Sequence, residues 1–325
     1  MSDVLLLDVG HGNCTVVQGG GMVAVIDAPI GSALLDTLDE LGVTHVEHAL
    51  ISHADADHIQ GILALLTSRR FTVGSLYVNP DRDRNTTAWR DLIHAVSVAE
   101  RTGAFTPHTS LNTASPGVLH IGDMTLTVAS PSAALALSAV KGLAPNGGIN
   151  TANTLSAVIK VERAPGVGLL LAGDLDGVGL ADVQATGVDV RASALVYPHH
   201  GGLPGSAQAG AFGKALLQLV APVQVFVSNG RNKHSNPRPE VVSTILDHGC
   251  GLACTQLAKS CGDPASADHL EKWPAAGREQ LHSCAGTISL RLDPAGATRD
   301  AEREGEFRSF VGSKVSSPMC RRTRH

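Results

Sequence analysis

Aromatic side chains are scarce in this sequence, which carries two Trp, two Tyr and six Phe, 3% of the total. A core must therefore be filled by Leu, Val, Ile and Ala. The 43% hydrophobic share of 325 residues is enough for one large domain or two smaller ones. Long apolar runs are also missing, so no membrane span and no membrane partner are expected. Met1-Ser2-Asp3 followed by Val4-Leu5-Leu6-Leu7 lacks the basic start and the apolar length of a signal peptide, and the expected setting is the cytoplasm. There is no surplus of basic residues: a formal net charge of -5 excludes a protein whose whole surface traps nucleic acid, while leaving room for a locally basic cleft. Paired Cys-x-x-Cys units are absent as well. Cys250, Cys254, Cys261 and Cys284 fall in one region with His248, His269 and His282, but at spacings that match no standard zinc knuckle. A zinc or redox pair and ordinary buried thiols both stay open, and a cytosolic setting disfavours a permanent disulfide.

What the sequence does have is concentrated in Ser52-His53-Ala54-Asp55-Ala56-Asp57-His58-Ile59-Gln60-Gly61. The apolar approach from Val46 to Ile51 predicts a short buried strand, and Ile59 to Leu66 predicts the start of an apolar helix. The imidazoles of His53 and His58 and the carboxylates of Asp55 and Asp57 then fall on the turn between them. Residues two apart on an extended turn point to the same side, so such a turn can feed two metal ions. A helix-capping role for Asp57 would account for one aspartate but not for alternating ionisable groups with alanine spacers.

The flanking pattern is strand-rich. Val4 to Val9, Cys14 to Gln18 and Met22 to Asp27 form a predicted meander, followed by a helix over 32–41, a strand over 74–79, a helix over 86–102 and a hairpin over 119–129. Arg82, Arg84 and Arg90, after Asn79, are either an anion-binding group or a solvated surface. Further on, one arrangement recurs: an apolar strand, a sharp turn and a ligand-type residue. Val167 to Ala172 leads to Gly173-Asp174, Ala192 to Tyr197 to Pro198-His199-His200-Gly201-Gly202, and Val223 to Ser228 to Asn229-Gly230 with His234 close behind. Singly, Asp174 could cap a helix and either histidine could be a hydrogen-bonded core residue. An irregular insertion is expected over about 250–285, with a last strand over 286–292. Residues 1–293 are expected to form one domain, and the charged stretch 294–325 a disordered tail.

These pieces, with Leu7-Asp8-Val9-Gly10-His11-Gly12-Asn13, Val25-Ile26-Asp27 and Asn153-Thr154-Leu155-Ser156-Ala157-Val158, occur in an order that resembles the metallo-β-lactamase superfamily, and within it the ComEC-like hydrolase branch. The resemblance covers roughly residues 4–245. It implies an α/β fold, an αββα sandwich of two mixed sheets flanked by helices, with a two-metal site at one edge. Carried over residue by residue, it implies His53 and Asp55 on one metal, Asp57 and His58 on the other, Asp174 bridging, and His200 completing the second site with His199 as its neighbour. Asp8 is implied near the metals and Asp27 behind the ligands. Asp55 stands where most of the superfamily has histidine, and Asn153 lies where a middle histidine is usual; the ComEC-like branch shares both features. His11 and Asn13 replace the Gln and Asp of that branch's first turn, leaving His11 as a substrate-facing or supporting group. The membrane channel that accompanies the domain in DNA-uptake proteins is not seen in this sequence, so a role in DNA import is not implied.

Two divalent ions, Zn²⁺ or Mn²⁺, would lower the pKa of a shared water and clamp the attacking and leaving oxygens of a phosphate or acyl centre. The expected activity is a metal-dependent phosphodiesterase or nuclease-like hydrolase. Its partner would be a phosphodiester or other small anionic substrate, nucleic acid among the options. Asp57 is the residue on which turnover should depend, and His199 and His234 are candidates to stabilise an oxyanion or donate a proton. The alternatives are hydrolysis of a carboxylic ester, lactone or amide, and a metal-binding or partner-binding module without turnover.

Overall fold

The computed structural model describes residues 3–321 apart from 82, 166, 206, 232 and 272–280. Six strands open the chain: β1 (Val4–Leu6), β2 (Thr15–Gly19), β3 (Met22–Ile26), β4 (His45–Ile51), β5 (Thr72–Val78) and β6 (Thr106–His108). Seven more form a second sheet: β7 (Leu119–Ile121), β8 (Met124–Ser130), β9 (Val158–Glu162), β10 (Leu169–Leu171), β11 (Ala194–Val196), β12 (Gln224–Val227) and β13 (Gly251–Cys254). The chain then returns to the first sheet with β14 (Ile288–Asp293) and β15 (Gly296–Arg299), giving the order β15-β14-β1-β2-β3-β4-β5-β6. Both sheets are mixed. β3 to β6 run parallel in the first and β10 to β13 in the second, and the remaining neighbours pair antiparallel.

Period-2 alternation explains the layering. In β3, Ala24 and Ile26 face the second sheet's Leu126, Ile159, Leu171 and Phe226, whereas Val23 and Val25 face a different cluster with Leu38, Ile59, Ile62, Leu65 and Leu92. That outer cluster is supplied by helices α1 (Ala33–Glu40), α2 (Ala56–Thr67) and α3 (Thr87–Thr102). After the short α4 (Ala133–Leu137), helices α5 (Gly177–Thr186), α6 (Ala209–Val220) and α7 (Pro239–Asp247) cover the other face of the second sheet through Leu180, Phe212, Leu216 and Val241. The architecture is thus an αββα sandwich, two mixed sheets flanked by helices, as expected. No helix among the described residues is long and apolar enough to cross a membrane.

The end of the chain corrects one expectation. In place of a disordered tail from 294, the structure has β15 and α8 (Ala301–Ser313), which buries Phe307, Phe310 and Val311 against the inter-sheet core. Few apolar residues suffice because they fall at 307, 310 and 311, one face of a helix that Asp300 caps through the N–H groups of Glu302 and Arg303. Residues 322–325, including most of the basic terminus, and the Pro274-to-Gly277 part of the insertion lie outside the described residues.

Candidate metal centre

The candidate residues gather where parallel strands end. Asp27 follows β3, Ser52 and His53 follow β4, Asp174 follows β10, His199 and His200 follow β11, and Ser228 follows β12. Backbone groups at strand ends are released from the ladder, so side chains there are free to converge between the sheets. Asp55 occupies the N-cap position of α2, yet its side chain makes no capping bond; Arg84 binds one of its oxygens, and the other lies 3.8 Å from His53 Nε2. A capping role for this aspartate is thereby excluded.

Two groups of donor atoms share Asp174. Its Oδ1 belongs to a closed ring: 3.8 Å to His58 Nε2, which is 3.9 Å from Asp57 Oδ2, which is 3.7 Å from His200 Nε2, itself 3.9 Å from Asp174 Oδ1. Its Oδ2 lies 3.9 Å from His53 Nε2 and 3.5 Å from His199 Nδ1. His11 Nε2 sits 3.3 Å from Asp57 Oδ2. Among the described residues, the donor atoms of His53, His58 and Asp174 lie within 4.8 Å of one another, as do those of His11, Asp57 and His200, and the His58 contacts with Asp57 and Asp174 link the two sets.

The supporting hydrogen bonds assign the tautomers. His58 Nδ1 lies 2.8 Å from Asp27 Oδ2, and His200 Nδ1 donates to the Ser228 carbonyl at 2.9 Å. Ser52 gives its N–H and hydroxyl to the two Asp27 oxygens, each at 2.7 Å, leaving its Oγ to accept from His53 Nδ1 at 3.1 Å. Each ring thus has its Nδ1 engaged. The Nε2 atoms of His53, His58 and His200, together with Asp174 Oδ1, are buried without a hydrogen-bond partner.

The electrostatics show an excess of negative charge. Burial alone would lower the His58 imidazole, but the carboxylates of Asp27, Asp174 and Asp57 outweigh it and lift it to about 10. Burial pushes the Asp57 and Asp174 carboxyls up, and the surrounding histidines outweigh it and hold both below the usual carboxylate range. Asp55 is likewise held low against its burial, by His53 and then Arg84. Burial and then His200 push His11 down to about 4, against the pull of Asp57.

Some expected placements differ. Asp8, implied near the metals, is held in place by the stretch before β14: it accepts a hydrogen bond from Ser283, and its N–H donates to Thr287 Oγ1 at 3.1 Å. At the Asn153 turn it is Ser156 that reaches the site, its Oγ 3.3 Å from His53 Nδ1 and accepting the Asp174 N–H at 3.0 Å. Arg84 is engaged by Asp55 and Asp81, and Arg90 by Asn85 and Thr87, so neither is an open anion site; Arg82 lies outside the described residues. His234 lines the cleft, its ring 5.1 Å from that of His11. Sequence reasoning missed Ser52, Ser156, Ser228 and Arg238. The first three stand inside or beside the motifs, and Arg238 lies four residues past His234. Arg238 lines the same cavity of about 360 Å³, with its buried Nε unpartnered.

The cysteines stand apart from these groups. Burial raises Cys254 and Cys284 well above the ordinary thiol range, and Cys261 and Cys284 are part of the inter-sheet core.

No protein-family model and no curated protein matches the chain. Solved structures do. The metallo-β-lactamase fold protein YhfI from Bacillus subtilis is 11% identical over 77% of this chain and 95% of its own, with a TM-score of 0.47. Igni18, a metallo hydrolase from Ignicoccus hospitalis, is 16% identical over 77% and 94%, with a TM-score of 0.42. A diphosphatase of the PhnP family is 12% identical over 71% and 87%, with a TM-score of 0.40. At such identities no activity passes from them to this chain.

Proposed function

We propose that this protein is a two-metal hydrolase of the metallo-β-lactamase kind and of its ComEC-like branch, acting on phosphodiesters in the cytoplasm with zinc or manganese. One observation carries the reading: Asp174 turns one oxygen to each of two groups of buried donors whose imidazole Nε2 atoms have no hydrogen-bond partner. Imidazole nitrogens and carboxylates held this close, with no hydrogen-bond partner for the ring nitrogens, form a donor set that a cation would satisfy. Its edges of 3.7–3.9 Å compare with roughly 3.4 Å for a tetrahedron around a cation with bonds of about 2.1 Å. His53 and Asp55 would hold one ion, Asp57, His58 and His200 the other, with Asp174 shared.

The ions supply Lewis acidity, which makes water more acidic and offsets charge on a phosphate. The chain's own residues do the rest. Asp27 and Ser52 hold His58 and His53 in the ligating tautomer. His199, whose Nε2 is buried and unpartnered beside Asp174, is placed to pass a proton to a leaving oxygen, and His234 stands at the mouth for the same service. Arg238 offsets substrate charge. Among the described residues lining the cavity, Leu203 is the one large apolar side chain, which suits a small polar anion better than an acyl chain.

The test is turnover of bis-p-nitrophenyl phosphate and single-stranded DNA by zinc- or manganese-loaded protein, beside an ester and lactone panel. Phosphodiester turnover lost in Asp57→Asn is expected. Turnover confined to esters overturns the phosphodiester assignment, and no turnover on any substrate overturns the enzyme.

A further inference from the structure

The first turn of the chain carries an imidazole that the ligand set above leaves without a role. His11 Nε2 lies 3.3 Å from Asp57 Oδ2, closer than His200 Nε2 at 3.7 Å or His58 Nε2 at 3.9 Å. The donor atoms of His11, Asp57 and His200 all fall within 4.8 Å of one another, and the His11 and His200 ring centroids are 4.5 Å apart.

This placement is built into the backbone. A Cβ on Gly12, at φ +126°, would stand 2.7 Å from the Asp57 carbonyl oxygen, and a Cβ on Gly230 would stand 2.6 Å from the His11 nitrogen. Both positions are open to glycine alone, and both press the turn onto site elements. Ser228 joins them: its hydroxyl donates to the Gly12 carbonyl at 2.7 Å, and its own carbonyl accepts from His200 Nδ1 at 2.9 Å. The residue that sets the His200 tautomer thus also anchors the turn presenting His11.

We infer that His11 is a further ligand for the cation shared by Asp57, His58, Asp174 and His200, a role that rests on the two-metal reading. It widens an imbalance between the two positions, one imidazole against two, to one against three. Three imidazoles, His11, His58 and His200, surround one cation, whereas the other meets His53 with Asp55 and Asp174. Imidazole donors favour zinc or cobalt, and carboxylate donors accommodate manganese or magnesium. The nitrogen-rich position therefore fills first with zinc, and the carboxylate-rich one accepts manganese.

Cobalt(II) titration of metal-free protein, followed by visible absorption and by metal content after dialysis, tests this on wild type, His11→Ala, His11→Gln and His234→Ala. Wild type should take up two ions in separable steps. Both His11 variants should weaken the tighter step at least about 10-fold and change its spectrum while sparing the weaker step, and His234→Ala should titrate as wild type. Unchanged steps in folded His11 variants overturn the inference and leave the two-metal reading standing. A wild type that binds no cobalt overturns both.

Discussion

The first sheet delivers His53 and Asp55 from the turn after β4 and Asp57 and His58 from the first turn of α2, which begins at Ala56, three residues before the expected Ile59, whereas the second delivers Asp174 after β10, His199 and His200 after β11 and the Ser228 carbonyl after β12. In the first, a single strand-to-helix turn places four donors, and a local error displaces them together. In the second, each donor hangs on its own strand, and convergence depends on β10, β11 and β12 being parallel neighbours. The compact loop supplies most of the donors, but Asp174, the side chain that joins the two groups, comes from the dispersed sheet.

That contrast can be broken most directly at Asp174. Asp174→Asn should lower kcat/KM on a phosphodiester by roughly 10³-fold or more and reduce bound metal at both positions; metal analysis beside steady-state kinetics measures it, and a variant retaining both ions would show that the loop suffices alone. Next in size is Phe310→Ala in α8, expected to cost about 3 kcal/mol by denaturant unfolding, because the ring is buried against the inter-sheet core and stacks on His269 at 4.2 Å. A loss under about 0.5 kcal/mol would restore the idea of a dispensable tail. Smaller again is Asp27→Asn, which removes the charge behind His58 without removing a ligand. Metal affinity should fall about 10- to 100-fold in a competition titration while the fold persists. An unchanged affinity would mean that the His58 orientation is fixed by packing. Least of all, Arg70→Ala breaks an exposed pair with Asp39, whose side chains are 54% and 46% exposed, and should change stability by less than about 1 kcal/mol. A larger loss would mark the α1 side of the first sheet as more dependent on charge than the site itself.

The same contrast explains what could be read from the chain. The His53-to-His58 loop is legible because its donors are adjacent in sequence and framed by apolar runs of strand and helix character, and the returning strands are legible as repeated apolar run, turn and donor. Ser52 and Ser156 were not, because a serine hydroxyl carries no spacing signature and gains meaning only when a ring nitrogen lies about 3 Å away. The partners of Asp8 were hidden for a related reason: its motif places it in the first turn, but Ser283 and Thr287, which hold it, lie far along the chain. α8 was hidden by composition, since three buried apolar residues on one face do not stand out in a charged stretch.

By itself, the sequence determined many of the strands and helices and the kinds of donor present, because hydrophobic periodicity and ligand chemistry are properties of residues and their near neighbours; the layered sandwich was implied by a resemblance in the order of the motifs. Only the tertiary structure decided which oxygen of Asp174 faces which ring, which nitrogen of each histidine is free, and that His11 approaches Asp57. Those are facts of contact between residues from 28 to 121 positions apart, and side-chain direction across such distances is set by packing and hydrogen bonding that no local pattern encodes.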